Sequence, residues 1–137
     1  MHKLERGQAM TEFILFAGLA VILALMLVAF IPVHRARTAA TSAAYACAQF
    51  LAQSPDPAKA AKSASDVAYQ VLSKRWSGLR LARFSVSVSP HSGSGTPGTC
   101  TVSWSTSTVF GGILGGPGTV SGSVTAVSRS EVWRPKW

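Results

Sequence analysis

Residues 6–30 read RGQAMTEFILFAGLAVILALMLVAF, and the run continues to residue 33, so that no side chain from 13 to 33 carries a charge. A helix needs roughly 20 apolar residues to cross the hydrocarbon core of a bilayer. Inside lipid every backbone N–H and C=O has to find its partner within the segment, which leaves helix as the conformation. Pro32 falls close to the far end, where the loss of one backbone donor is tolerable. The stretch therefore predicts a membrane-spanning helix over 8–33, with Glu12 at its mouth. A carboxylate there meets the positive end of the helix dipole, snorkels to the headgroups, or carries a function, because acids in membrane segments are costly.

Outward from this run, residues 38–53 read TAATSAAYACAQFLAQ, rich in helix formers and free of Gly and Pro. The helix is expected to leave the bilayer and continue to about residue 53, giving an extension over 34–54. Small residues at Ala39, Ala40, Ala43, Ala44, Ala46 and Ala48 allow close approach of another helix. They suit packing against a neighbouring subunit, and equally an Ala-rich helix lying on its own domain. SPDP breaks the run, with Asp56 as N-cap and Pro57 at the first helical position. A second helix is expected over 58–77, with Ala60, Ala61, Ala64, Val67, Ala68, Val71 and Leu72 on one face and Gly78 as its stop.

Three strands are expected next. Phe84, Val86 and Val88 alternate with serines; Cys100, Val102 and Trp104 alternate with Thr101, Ser103 and Ser105; Val120, Val124 and Ala126 alternate with Ser121, Ser123 and Thr125. One face is apolar and the other rich in hydroxyls, which predicts an antiparallel sheet covered on one side by helix. The fold class is thus α+β: a long N-terminal transmembrane helix extending out of the membrane, a second helix, and a small antiparallel β-sheet of about three strands. The loop HSGSGTPG (91–98) is polar. The loop FGGILGGPG (110–118) carries Phe110, Ile113 and Leu114 between glycines, either folded back on the sheet edge or touching a partner. The tail VWRPKW (132–137) mixes aromatic and basic residues, Trp133 reading as a buried strand end and Trp137 as a candidate partner contact.

Composition limits the chemistry. The chain has 137 residues, with 13 Lys and Arg against 5 Asp and Glu, a net charge of +8. Setting aside Lys3, Arg6, Glu5 and Glu12 leaves 11 basic and 3 acidic residues beyond the membrane run, still +8. The basic residues are scattered, which reads as a solvated surface and against nucleic acid as a partner. His2, His34 and His91 have no spacing for a metal or a nucleophile–base pair, and no phosphate-binding or hydrolase motif is present. The expectation is no catalytic residues, no metal, no cofactor and no enzymatic activity. Cys47 and Cys100 are too far apart for a redox pair. In an exported domain they suit a disulfide; otherwise they are two buried thiols. A secretory signal peptide has an apolar core of about 7–15 residues and a small-residue cleavage site, so this run is too long for one, although Ala36 and Ala40 offer such sites. Arg35 and Arg37 beyond the run balance Lys3 and Arg6 before it, so charge alone does not set the orientation.

The N-terminal pattern resembles the class III signal of type IV pilin-like proteins: a short basic leader ending in Gly, a Glu five residues on, and an apolar helix behind it. Mapped residue by residue, the leader is MHKLERG (1–7), the bond cut by a prepilin peptidase is Gly7–Gln8, and Glu12 is the fifth residue of the mature chain. The remainder is similar to the TadE-like minor pilins or pseudopilins of tight-adherence (Tad/Flp, type IVb-like) pilus systems. The shared features are the Ala-rich helix with its polar turn SPDPAKAA (54–61), the strands SVSVSP (85–90) and TCTVSWSTST (99–108), and the Gly-rich turn into GTVSGSVTA (118–126). Phe13 stands where major Flp pilins usually carry Tyr, a departure that favours a minor pilin.

The resemblance implies a pilin-like fold and an organisation of leader over 1–7, membrane helix over 8–33, extension over 34–54 and exported αβ domain over 55–137. It also implies the cytoplasmic membrane as location, with the N-terminus cytoplasmic and the domain outside or in an extracellular pilus. The implied partners are the membrane, the prepilin peptidase, other pilin or pseudopilin subunits and the Tad assembly proteins. Glu12 would neutralise the α-amino group that cleavage creates at Gln8 of an adjacent subunit. The rival expectation is a permanently anchored envelope module whose basic domain captures an anionic ligand, DNA or polysaccharide.

Overall fold

The computed structural model describes residues 3–54, 56–75, 82–90, 97–108 and 118–128. It contains five elements: α1 (Lys3–Gln53), α2 (Pro57–Arg75), β1 (Ala82–Ser89), β2 (Gly98–Ser107) and β3 (Thr119–Ser128). This is the α+β architecture expected from the sequence, with one long apolar N-terminal helix, a second helix and a three-stranded antiparallel sheet.

Helix α1 runs for 51 residues, about 76 Å at 1.5 Å per residue, and passes through Pro32 without ending. Along its second half Thr38, Thr41 and Ser42 donate their hydroxyls to the carbonyls of His34, Arg37 and Thr38 at 2.8–3.0 Å. Hydroxyls that could compete with the backbone are thereby absorbed into the helix. The helix ends where Ser54 donates from Oγ to Phe50 O at 2.8 Å and from its amide to Leu51 O at 3.3 Å. Asp56 then caps α2: its Oδ1 accepts from the Lys59 amide at 3.5 Å and its carbonyl from the Ala60 amide at 3.0 Å. Helix α2 is described over Pro57–Arg75, and positions 76 and 77 of the expected helix lie, with Gly78, outside the described residues.

The sheet is a meander in the order β1-β2-β3. Its register sets residues in rows: Phe84, Trp104 and Gly122; Val86, Val102 and Val124; Val88, Cys100 and Ala126. The alternation puts these rows inward, and the helices cover them. The stripe Ala36, Ala39, Ala40, Ala43, Ala44, Cys47, Ala48 and Leu51 of α1 and the stripe Ala60, Ala64, Ala68 and Leu72 of α2 are buried together with Cys100, Val102, Trp104 and Ala126. Spacings of three and four keep each stripe on one helix face. The extension 34–54 is therefore part of the domain's own core. Apart from Leu51, Leu72, Val102 and Trp104, this buried core consists of alanines and the two cysteines, so each residue contributes little apolar area.

Candidate functional site

The feature that sets this chain apart from a self-contained domain is the first half of α1. From 9 to 28 every residue is exposed, Phe13 at 73% and Leu27 at 71% among them. The segment is long and apolar enough to cross a membrane, and no other element among the described residues covers it. Soluble proteins rarely leave so large a contiguous apolar surface in water. Lipid or other helices are what such a surface fits. A Cβ built at Gly18 would meet nothing within 4 Å, so this glycine is not required by contacts within the chain.

Gly7 and Gln8 belong to the first turns of α1, and Glu12 follows Gln8 by four positions. Positions four apart lie on one face of a helix, so 8 and 12 fall on the same side of α1. The candidate contact residues Phe110, Ile113, Leu114 and Trp137, and Trp133 with them, lie outside the described residues. Beyond the ends of β2 and β3, the Thr108 amide donates to Gly118 O at 3.0 Å.

Cys47 of α1 and Cys100 of the central strand form a disulfide, both residues fully buried and their Cα atoms 6.1 Å apart. The bond closes a loop of 53 residues, which in the chain-entropy model stabilises by about 4 kcal/mol. It ties the end of the long helix to the middle of the sheet. In a core made mostly of alanine, that is a large share of the stability.

The outer sheet face is nearly all hydroxyl: Ser85, Ser87 and Ser89 on β1, Thr99, Thr101, Ser103, Ser105 and Ser107 on β2, and Thr119, Ser121, Ser123 and Thr125 on β3. Thr101 and Thr125 are hydrogen-bonded across the strands at 3.0 Å. Arg83 is the one charged side chain that the strands place there. A shallow depression of about 480 Å³ lies among Arg83, Ser85, Ser103, Ser105, Ser121 and Ser123.

The chain matches no protein-family model, no curated protein and no solved structure. Its function has to be read from its own residues.

Two features escaped the sequence. A Cβ at Gly122 would lie 2.8 Å from Cζ2 of Trp104, so the indole occupies the space over the glycine. Cross-strand register alone brings them together, and a serine–valine strand gives no sign of it. The second is a basic cluster: Arg75 at the end of α2 shares a cavity of about 270 Å³ with His34, Arg35, Thr38 and Ala39 of α1. These residues are far apart in the chain and meet only because α2 folds back along α1.

Proposed function

We propose that this chain is a structural or assembly subunit of a Tad/Flp type IV-like pilus, a TadE-like minor pilin or pseudopilin matured by a prepilin peptidase. The observation that carries this reading is the bare apolar half of α1, which opens on Gly7, Gln8 and Glu12 and runs unbroken into a small α+β domain. On this reading the apolar half is held in the cytoplasmic membrane before assembly and packs among other subunits afterwards, with the domain on the outer side. The chain's part in chemistry is that of a peptidase substrate; it carries no catalysis of its own. Cleavage after Gly7 frees an α-amino group at Gln8, one helical turn from the level of Glu12. In an apolar bundle, that cation and the Glu12 carboxylate of an adjacent subunit neutralise one another.

Removing one partner of a buried ion pair costs about 3–5 kcal/mol, because the other charge is left uncompensated. Glu12→Leu should therefore be inserted and processed like the wild type but should enter the assembled structure poorly. Sheared surface fractions compared with membrane fractions by immunoblot would read this out. Normal surface assembly of the variant would remove Glu12 from the mechanism.

The hydroxyl face favours a second reading, in which the protein is a permanently anchored envelope module that binds polysaccharide. An array of Ser and Thr around Arg83 offers donors and acceptors suited to a hydroxylated, acidic polymer. Full-length protein in detergent should then retain an acidic polysaccharide at low salt and lose it in the Arg83→Gln variant. No retention at low salt would dismiss this reading.

A further inference from the structure

The apolar run ends at Val33, and the next residues are His34, Arg35 and Arg37. Helix α2 packs back along α1, so its last turn, with Lys74 and Arg75, returns to the level where α1 emerges from its uncovered half. His34, Arg35 and Arg75 line one cavity of about 270 Å³, with Thr38 and Ala39 on its α1 wall. The hydroxyl of Thr38 already donates to His34 O at 2.9 Å, so the donors left to a ligand are the guanidinium groups and the imidazole.

No carboxylate among the described residues answers this charge. Asp56 sits at the opposite end of α2 and pairs with Lys59 at 3.3 Å. Asp66 precedes Arg75 by nine positions, about 13 Å along the helix. Glu12 is at the other end of the apolar run. Basic side chains in the last turn of α2 complement its dipole, which accounts for Lys74 and Arg75 but not for Arg75 sharing a cavity with Arg35.

Depth selects the ligand. If the apolar run spans the bilayer, residues 34–39 rise through the first ~9 Å beyond the hydrocarbon at 1.5 Å per residue. The headgroup layer on each side is about 5–8 Å thick. We propose that the cavity between His34, Arg35 and Arg75 seats the phosphate of an anionic phospholipid in the leaflet on the domain's side, with Arg35 and Arg75 as its two fork-shaped donors. The inference rests on the membrane-spanning reading of α1. The fold also lets such a site coexist with export. Orientation is set by charges within about 15–20 residues of a span, and Lys74 and Arg75 lie beyond that window in sequence, reaching the surface only once α2 has folded.

The test uses the full-length chain in a mild non-ionic detergent with phosphatidylglycerol or phosphatidylcholine added, and native mass spectrometry to count retained lipid. Wild type should keep phosphatidylglycerol over phosphatidylcholine. Each cation lost near an anionic surface should cost about fivefold, so Arg75→Gln should fall about fivefold and Arg35→Gln with Arg75→Gln about 25-fold. Lys59→Gln with Lys62→Gln, farther along α2, should match wild type. Arg35 and Arg75 are exposed, and an unchanged thermal transition would show that the variants fold. Inorganic phosphate in tenfold excess over lipid should leave retention unchanged. Displacement by inorganic phosphate, or equal retention by the double variant and wild type, would overturn the headgroup site. Carbonate washing of membranes separates the two readings. A chain released by carbonate defeats the span and the site together, whereas a carbonate-resistant chain whose double variant retains lipid like wild type defeats the site alone.

Discussion

At the scale of single residues, the domain turns on close fits that leave no slack. Gly122 lies under the indole of Trp104, with Cε2 2.9 Å and Nε1 3.1 Å from the position of an added Cβ. Gly122→Ala must push the ring out of a buried row, and overpacking of this kind costs about 1–3 kcal/mol. A thermal or urea transition of the full-length protein in detergent, compared with wild type, should show that loss. Thr106 presents the opposite case. It is fully buried and its Oγ1 has no hydrogen-bond partner among the described residues. Thr106→Val keeps the shape and removes the unpaired hydroxyl, so the same measurement should show a gain of about 1 kcal/mol. Neither effect was legible in the sequence. Gly122 reads as one more small residue in a serine–valine strand, and Thr106 as one more hydroxyl, until the register places one opposite Trp104 and the other on the inward face. Glu12 differs because its meaning comes from position in the chain, a charge at the mouth of an uncharged run, which needs no tertiary structure to see.

At the scale of elements, period carried most of the information. The two-residue alternation of the three strands and the four-residue spacing of Ala60, Ala64, Ala68 and Leu72 marked the buried faces that the structure has. What the small-residue stripe of α1 packs against was open. Alanines that admit a neighbouring subunit's helix are the same alanines that admit α2 and the sheet, and the choice depends on long-range packing. The structure spends them internally: Ala39, Ala40, Ala43, Ala44 and Ala48 are covered by the chain's own elements. That stripe is therefore not open to another helix, and the bare apolar surface of α1 is its first half. The partnership of Cys47 with Cys100 was open in the same way, since a spacing of 53 residues fits a bond or two separate thiols. Replacing both cysteines by alanine should lower the stability of the folded domain by about 2–5 kcal/mol. Chemical denaturation of the oxidised protein against the double variant would measure it, and a loss below about 1 kcal/mol would mean that the alanine core is sufficient alone.

At the scale of the whole molecule, one helix serves two environments. Its first half exposes Phe, Leu, Ile and Val around the full circumference, and its second half buries a single stripe against α2 and the sheet. The change falls near Val33, where the uncharged run stops and partial burial begins. A helix that entered water over its entire length would have no use for the first half, and one buried in its own domain would not leave it bare. That division supports a subunit whose folded part is displayed on an apolar stalk, and it gives Gly7, Gln8 and Glu12 a shared place at the stalk's beginning. The measurement that tests this account most directly is the N-terminal residue of the membrane-extracted protein, by intact mass or Edman sequencing, in cells with and without a prepilin peptidase. The mature chain should start at Gln8 and revert to the uncut form when the peptidase is absent. A chain that starts at Met1 in both would contradict it.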